Sequence, residues 1–157
     1  MKTKSILSII LLAVLMISAY GCNKNEDDNP IVEENSYFKA KINGKAVSSK
    51  KVEGGSLLEV FGLVPYDNSD NPILQLSLYH YNGIGSYSIN KDITIQYNGT
   101  VYQGKEGNGG NIEIKIDNQL ASEGNISSKG NFYGVFYNLI DETDNLDIKD
   151  AEFVIRN

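Results

Sequence analysis

Side chains that alternate between apolar and polar, cut at short intervals by Asn-Gly and glycine-rich turns, restrict this chain to antiparallel β structure. Phe38, Ala40 and Ile42 fall on one face of a strand, with Lys39, Lys41 and Asn43 on the other. Leu74, Leu76 and Leu78 stand opposite Gln75, Ser77 and Tyr79. Ile112, Ile114 and Ile116 stand opposite Glu113 and Lys115, and Phe153 and Ile155 opposite Glu152 and Arg156. Each set is one buried face of a sheet. Leu57 to Val64 and Phe132 to Leu139 are apolar on both faces, as in central or covered strands. Turn formers separate these runs: Asn43-Gly44, Gly54-Gly55, Asp67 to Pro72, Asn82-Gly83, Asn98-Gly99 and Gly107 to Asn111. The three Asn-Gly pairs supply the positive φ angles of tight hairpins. The glycines of Gly104 to Gly110 also read as a hairpin loop. A helical period is never sustained for the ~10 residues a helix needs; Leu139 to Lys149 has room for one short turn. The expected fold is all-β, a single antiparallel β-sandwich or flattened β-barrel of about 8–10 short strands.

That domain occupies residues 36–157. Ahead of it, Lys2 and Lys4 precede an apolar run from Ile6 to Ile17 broken only by Ser8. The run is too short for the ~20 residues of a membrane-spanning helix and reads as a secretory signal over residues 1–21. Ser18-Ala19-Tyr20-Gly21-Cys22 resembles the lipobox of bacterial lipoproteins, although Ala19 stands where leucine is commonest and Tyr20 is bulky for its place. Cys22 is the only cysteine. The resemblance implies that it is acylated and becomes the new N-terminus, held to a membrane by burial of ~0.8 kcal/mol per methylene. With no second cysteine, the domain depends on burial and hydrogen bonding alone.

Residues 22–35 follow as a disordered acidic tether without hydrophobic period. Within it Lys24, Glu26, Asp27 and Asp28 resemble the export signal that sends lipoproteins of the Bacteroidota to the outer leaflet of the outer membrane. The opening Phe38-Lys39-Ala40-Lys41-Ile42-Asn43-Gly44-Lys45, the Gly130-Asn131-Phe132-Tyr133-Gly134-Val135-Phe136 strand and the closing Ala151 to Ile155 are similar to uncharacterised small β-rich lipoproteins of that phylum. The resemblance implies a lipid-anchored outer-membrane protein, at the cell surface or on the periplasmic face. It carries no activity. Loss of Lys2 and Lys4 leaves 12 basic against 20 acidic residues, a net charge of −8 that repels nucleic acid.

No catalytic set, metal site or cofactor motif emerges. His80, the only histidine, continues the face of Leu74, Leu76 and Leu78 by alternation and has no ligand partner at motif distance. Gly-x-Ser-x-Gly is absent, and the glycines around Lys105 lack Gly-Lys-Ser/Thr. Asp141 to Asp147 approaches calcium-loop spacing but has Leu146 in place of the turn glycine, so it reads as a solvated loop, as does Asp67 to Asn71.

Tyrosine is the one compositional excess, ten residues against no tryptophan. Tyr79 and Tyr81 are expected on the face away from the leucines, and Tyr133 and Tyr137 on one face of a second strand. Rings presented there stack on sugars or anchor a protein, because they bury much area at small entropic cost. The leading expectation is a non-enzymatic binding module for a glycan or an envelope protein. An accessory subunit of an envelope complex is the alternative, and a glycosidase using paired carboxylates among Glu53, Glu59, Glu113 and Glu152 the third.

Overall fold

The computed structural model describes residues 35–120, 122 and 125–157; Cys22, Lys24, Glu26, Asp27 and Asp28 lie outside them. The described residues form eleven strands and no helix. These are β1 (Tyr37–Ile42), β2 (Lys45–Ser49), β3 (Lys51–Leu57), β4 (Val60–Tyr66), β5 (Gln75–Tyr79), β6 (Gly85–Ser88), β7 (Ile93–Tyr97), β8 (Thr100–Gln103), β9 (Gly110–Asp117), β10 (Ile126–Asn138) and β11 (Asn145–Arg156). All pairings are antiparallel, in the order β2-β1-β11-β10-β8-β7-β5-β4-β3. β10 is long enough to share one edge between two neighbours: Ser128 to Gly134 pair with β9, which carries β6, and Tyr137 and Asn138 pair with β8. β3 packs back against β1, β10 and β11, so the sheet curls into a nearly closed barrel.

Alternation sets the inside. All five phenylalanines, Phe38, Phe61, Phe132, Phe136 and Phe153, are fully buried, together with Leu63, Leu74, Leu76, Ile93, Ile95, Ile112 and their neighbours. The Phe61 and Phe153 rings meet at 5.7 Å across the interior, and Phe38 stacks on Phe132 at 6.3 Å. The Ser49 hydroxyl fastens the corner between β2 and β3, lying 2.7 Å from the Lys51 carbonyl and 2.6 Å from that of Tyr66.

Turns follow local chemistry in part. Asn43-Gly44 and Asn98-Gly99 carry positive φ at both residues and close the β1–β2 and β7–β8 hairpins. Asn82-Gly83 does not close a hairpin: it links β5 to β6, which pair with other strands. Nor is Gly104 to Gly109 a hairpin loop, since it carries the chain between two neighbours of β10. The run from Leu57 to Val64 is not one strand. Leu58, at φ 54°, and Glu59 turn the chain from β3 into β4. Gly54-Gly55 lies inside β3, where a Cβ on Gly54 would come within 2.2 Å of the Gly62 carbonyl oxygen.

Gly130 is a second forced glycine. A Cβ there would sit 2.3 Å from the Glu113 carbonyl oxygen and 2.7 Å from the Phe153 ring. Gly130→Ala is expected to destabilise the domain by about 1–3 kcal/mol through overpacking, and to lower Tm in a circular-dichroism melt by roughly 4–10 °C. An unchanged Tm would show that β9, β10 and Phe153 are not in such close contact.

Candidate functional site

The outward alternation of β10 places Tyr133 and Tyr137 on the barrel exterior, Tyr133 exposed and Tyr137 half-buried. Tyr79 also faces outward from β5, 45% exposed. Tyr81 departs from the expectation that it shares the face of Tyr79. His80 adopts φ 55°, which reverses the alternation: the imidazole turns to solvent instead of continuing the leucine face, and the next ring turns inward. Tyr81 is only 5% exposed, with its ring against Phe61 and Tyr87 at 5.6 Å each. Its hydroxyl donates to Asp117 Oδ2 at 2.7 Å. Burial first, and that bond second, push its ionisation well above the usual tyrosine range. Tyr81 is therefore part of the core and presents no surface to a ligand.

Asp117 joins three segments. The same Oδ2 accepts from Ser56 Oγ at 2.7 Å, and Oδ1 accepts from Gln119 Nε2 at 2.7 Å; that amide also reaches Ser128 Oγ. The carboxylate thus ties the end of β3, the segment after β5 and the segment after β9 together.

The acidic loops spend their oxygens on their own chain. Asp67 Oδ1 accepts the backbone N–H groups of Ser69 and Asn71, and these bonds hold its carboxyl below the usual range. Asp141 accepts the hydroxyl and N–H of Thr143, with the same consequence. Asp144 takes the Asn138 amide, and Glu142 pairs with Lys105 at 3.0 Å. Among the described residues no three His, Cys, Asp or Glu side chains converge as metal ligands.

The candidate carboxylates for hydrolysis are also dispersed. Glu53 accepts the Tyr66 hydroxyl, and Glu59 faces His80 at 3.9 Å. Glu113 and Glu152 lie in one cross-strand row on either side of Asn131, two strands or about 10 Å apart along the backbone. Glu113 is bonded to the Asn131 amide and Lys115, which hold its carboxyl below the usual range, and Glu152 is paired with Lys39 at 2.8 Å. A glycosidase needs one carboxyl that keeps its proton, and desolvation is what normally secures it. This open row does not supply that environment.

What the outer face does offer is a shallow groove. One hollow of about 410 Å³ is lined by Tyr79, His80, Glu59, Thr94, Lys91 and Gln103. A second of about 260 Å³ shares Lys91 and Gln103 with it and continues to Tyr137, Asn138, Lys105 and Glu142. The register explains the continuity: Ser77, two residues from Tyr79, pairs with Thr94, Thr94 with Gln103 and Gln103 with Tyr137. No family model, curated protein or solved structure matches this chain.

Within the groove, Gln103 Nε2 donates to the Lys91 carbonyl at 2.7 Å, so the amide plane is fixed, and Lys105 Nζ lies 5.6 Å from the centre of the Tyr137 ring. Tyr133 borders a separate hollow of about 480 Å³ with Asn131, Lys149, Asp150 and Glu152. Sequence alternation marked the three outward tyrosines. Gln103, Lys91 and Asn138 escaped it, because they join the tyrosines only through the pairing of β8 with β10, which leaves no local signal.

Proposed function

We propose that the chain is a membrane-anchored extracytoplasmic lipoprotein whose barrel binds a glycan along the groove between Tyr79 and Tyr137. The observation that carries this reading is the continuity of the two hollows, with a tyrosine ring at each end and a fixed amide at their junction. The rings are three strand spacings apart, about 15 Å, which suits an extended sugar chain better than a single ring. Tyrosine faces pack on the C–H faces of sugars, while Gln103, Asn138 and the Lys105–Glu142 pair offer donors and acceptors to hydroxyls. The anchor is supported by the apolar run from Ile6 to Ile17 and the lipobox-like Ser18 to Cys22 that follows it, and the outer-membrane address by Lys24, Glu26, Asp27 and Asp28.

Binding to an array of envelope and environmental polysaccharides tests the reading. Tyr79→Ala/Tyr137→Ala is expected to weaken binding at least tenfold, a loss of about 1.4 kcal/mol, with the melting curve little changed. Tyr133→Ala, on the separate hollow, is expected to bind as the parent does. Absence of saturable binding by the folded parent would transfer the groove to a protein partner, for which capture from envelope extracts is the next assay.

A further inference from the structure

The described fold begins at Asn35, and the strands locate the end of the barrel at which the chain enters. Ser36 Oγ accepts the Arg156 N–H at 2.9 Å, Arg156 pairs with Ile126, and Asn157 N–H donates to the Asn125 carbonyl. The first residues of β1 and β10 and the last of β11 therefore share one end. Asp117 pairs with Ser128 at the same end, and its carboxylate brings in Ser56 and Tyr81.

Four large aliphatic side chains project from the segments gathered there. Leu57 ends β3 directly after Ser56, and Leu58 begins the turn into β4, 78% and 92% exposed. Leu120, three residues beyond Asp117, is 94% exposed, and Ile84 follows the Tyr81 segment and is also exposed. Leucines at a turn tip stabilise nothing within the barrel, and Leu58 accepts a left-handed backbone that favours glycine or asparagine.

We propose that this end of the barrel is a membrane-contact surface, with Leu57, Leu58, Ile84 and Leu120 seated among the headgroups of the bilayer that holds the lipid of Cys22. The inference rests on the reading of Cys22 as acylated. Twelve residues lie between Cys22 and Asn35, a reach of at most about 45 Å. The tether joins the fold at the end that carries these side chains, so anchoring brings that end, rather than the other, to the lipid. The net charge of −8 on the chain after Gly21 directs the contact to zwitterionic lipid, where apolar insertion acts without attraction to anionic headgroups. The orientation leaves the far end of the β10–β11 hairpin, with the exposed Ile140, pointing away.

The test uses the full chain, processed and lipidated, in phosphatidylcholine vesicles. Leu58→Cys and Ile140→Cys each carry an environment-sensitive fluorophore; acylation of Cys22 leaves the new thiol as the labelling site. The fluorophore at position 58 is expected to shift to the blue and to lose about half its emission to a spin-labelled phosphatidylcholine, while that at position 140 is unaffected. Equal quenching at the two positions in protein that floats with the vesicles would overturn the contact and leave the anchor standing. Failure to float, with fluorophore attached at Cys22 itself, would overturn the anchor and the contact together.

Discussion

Phe153→Ala is expected to cost about 3–5 kcal/mol, a large part of the 5–15 kcal/mol available to a domain of this size. The ring is 1% exposed and reaches from β11 across the interior to Phe61 on β4, while Gly130 provides the space beneath it. Removing it deletes a buried ring contact between β11 and β4, in a fold without a disulfide to limit the unfolded state. Neighbouring side chains stand on separate strands of a hydrogen-bonded sheet and cannot collapse far into the void. Urea unfolding of the parent and variant measures the loss as a lower midpoint at similar slope. Phe153→Leu, which fills most of the volume, is expected to lose less than half as much. A cost below about 1 kcal/mol for the alanine variant would mean that the walls are held apart from Phe153 by other contacts.

The buried face of this barrel was legible because it is a local property. Phe38, Ala40 and Ile42, then Leu74, Leu76 and Leu78, then Ile112 and Ile114, all point inward as alternation requires. The order of strands was not legible. β8 and β9 are consecutive, yet both lie along β10, an arrangement that the length of β10 allows and that no local pattern announces. The same reason hid the groove, whose tyrosines are joined by Thr94 and Gln103 through three separate pairings. Tyr81 shows a second limit. Period-two reasoning holds only while φ stays negative, and a histidine's tolerance of the left-handed region is too weak a signal to place the break at His80. The inward position it gives Tyr81 is completed 36 residues further on, by the carboxylate that receives the Tyr81 hydroxyl. Leu57 to Val64 misled for a related reason: apolar residues at a turn suggest a buried strand, when four of their kind mark an exposed end instead.

Asp117→Ala is expected to cost about 2–3 kcal/mol, the second largest effect, because it leaves donors from three segments without their acceptor at once. Ser56 and Gln119 can turn to water, but the Tyr81 ring is buried against Phe61 and Tyr87, so its hydroxyl has little freedom to do so. Asp117→Asn retains an acceptor oxygen and is expected to recover part of the loss. The pH dependence follows from Tyr81. Its ionisation lies above the ordinary tyrosine value of 10.0 in the folded chain, so the neutral hydroxyl contributes fully below pH 10. That contribution is lost as pH rises beyond 10 toward the folded value, because the unfolded chain releases the proton first. Tyr66, through its bond to Glu53, and Tyr102, chiefly through burial, are shifted in the same direction, so Tyr81→Phe is expected to flatten the alkaline fall in stability without abolishing it. Chemical denaturation of the parent, Asp117→Ala and Tyr81→Phe at neutral pH and above pH 10 separates the two effects. If the parent and Tyr81→Phe fall in parallel above pH 10, the hydroxyl does not depend on this burial, and the account of Asp117 as the tie between the three segments falls with it.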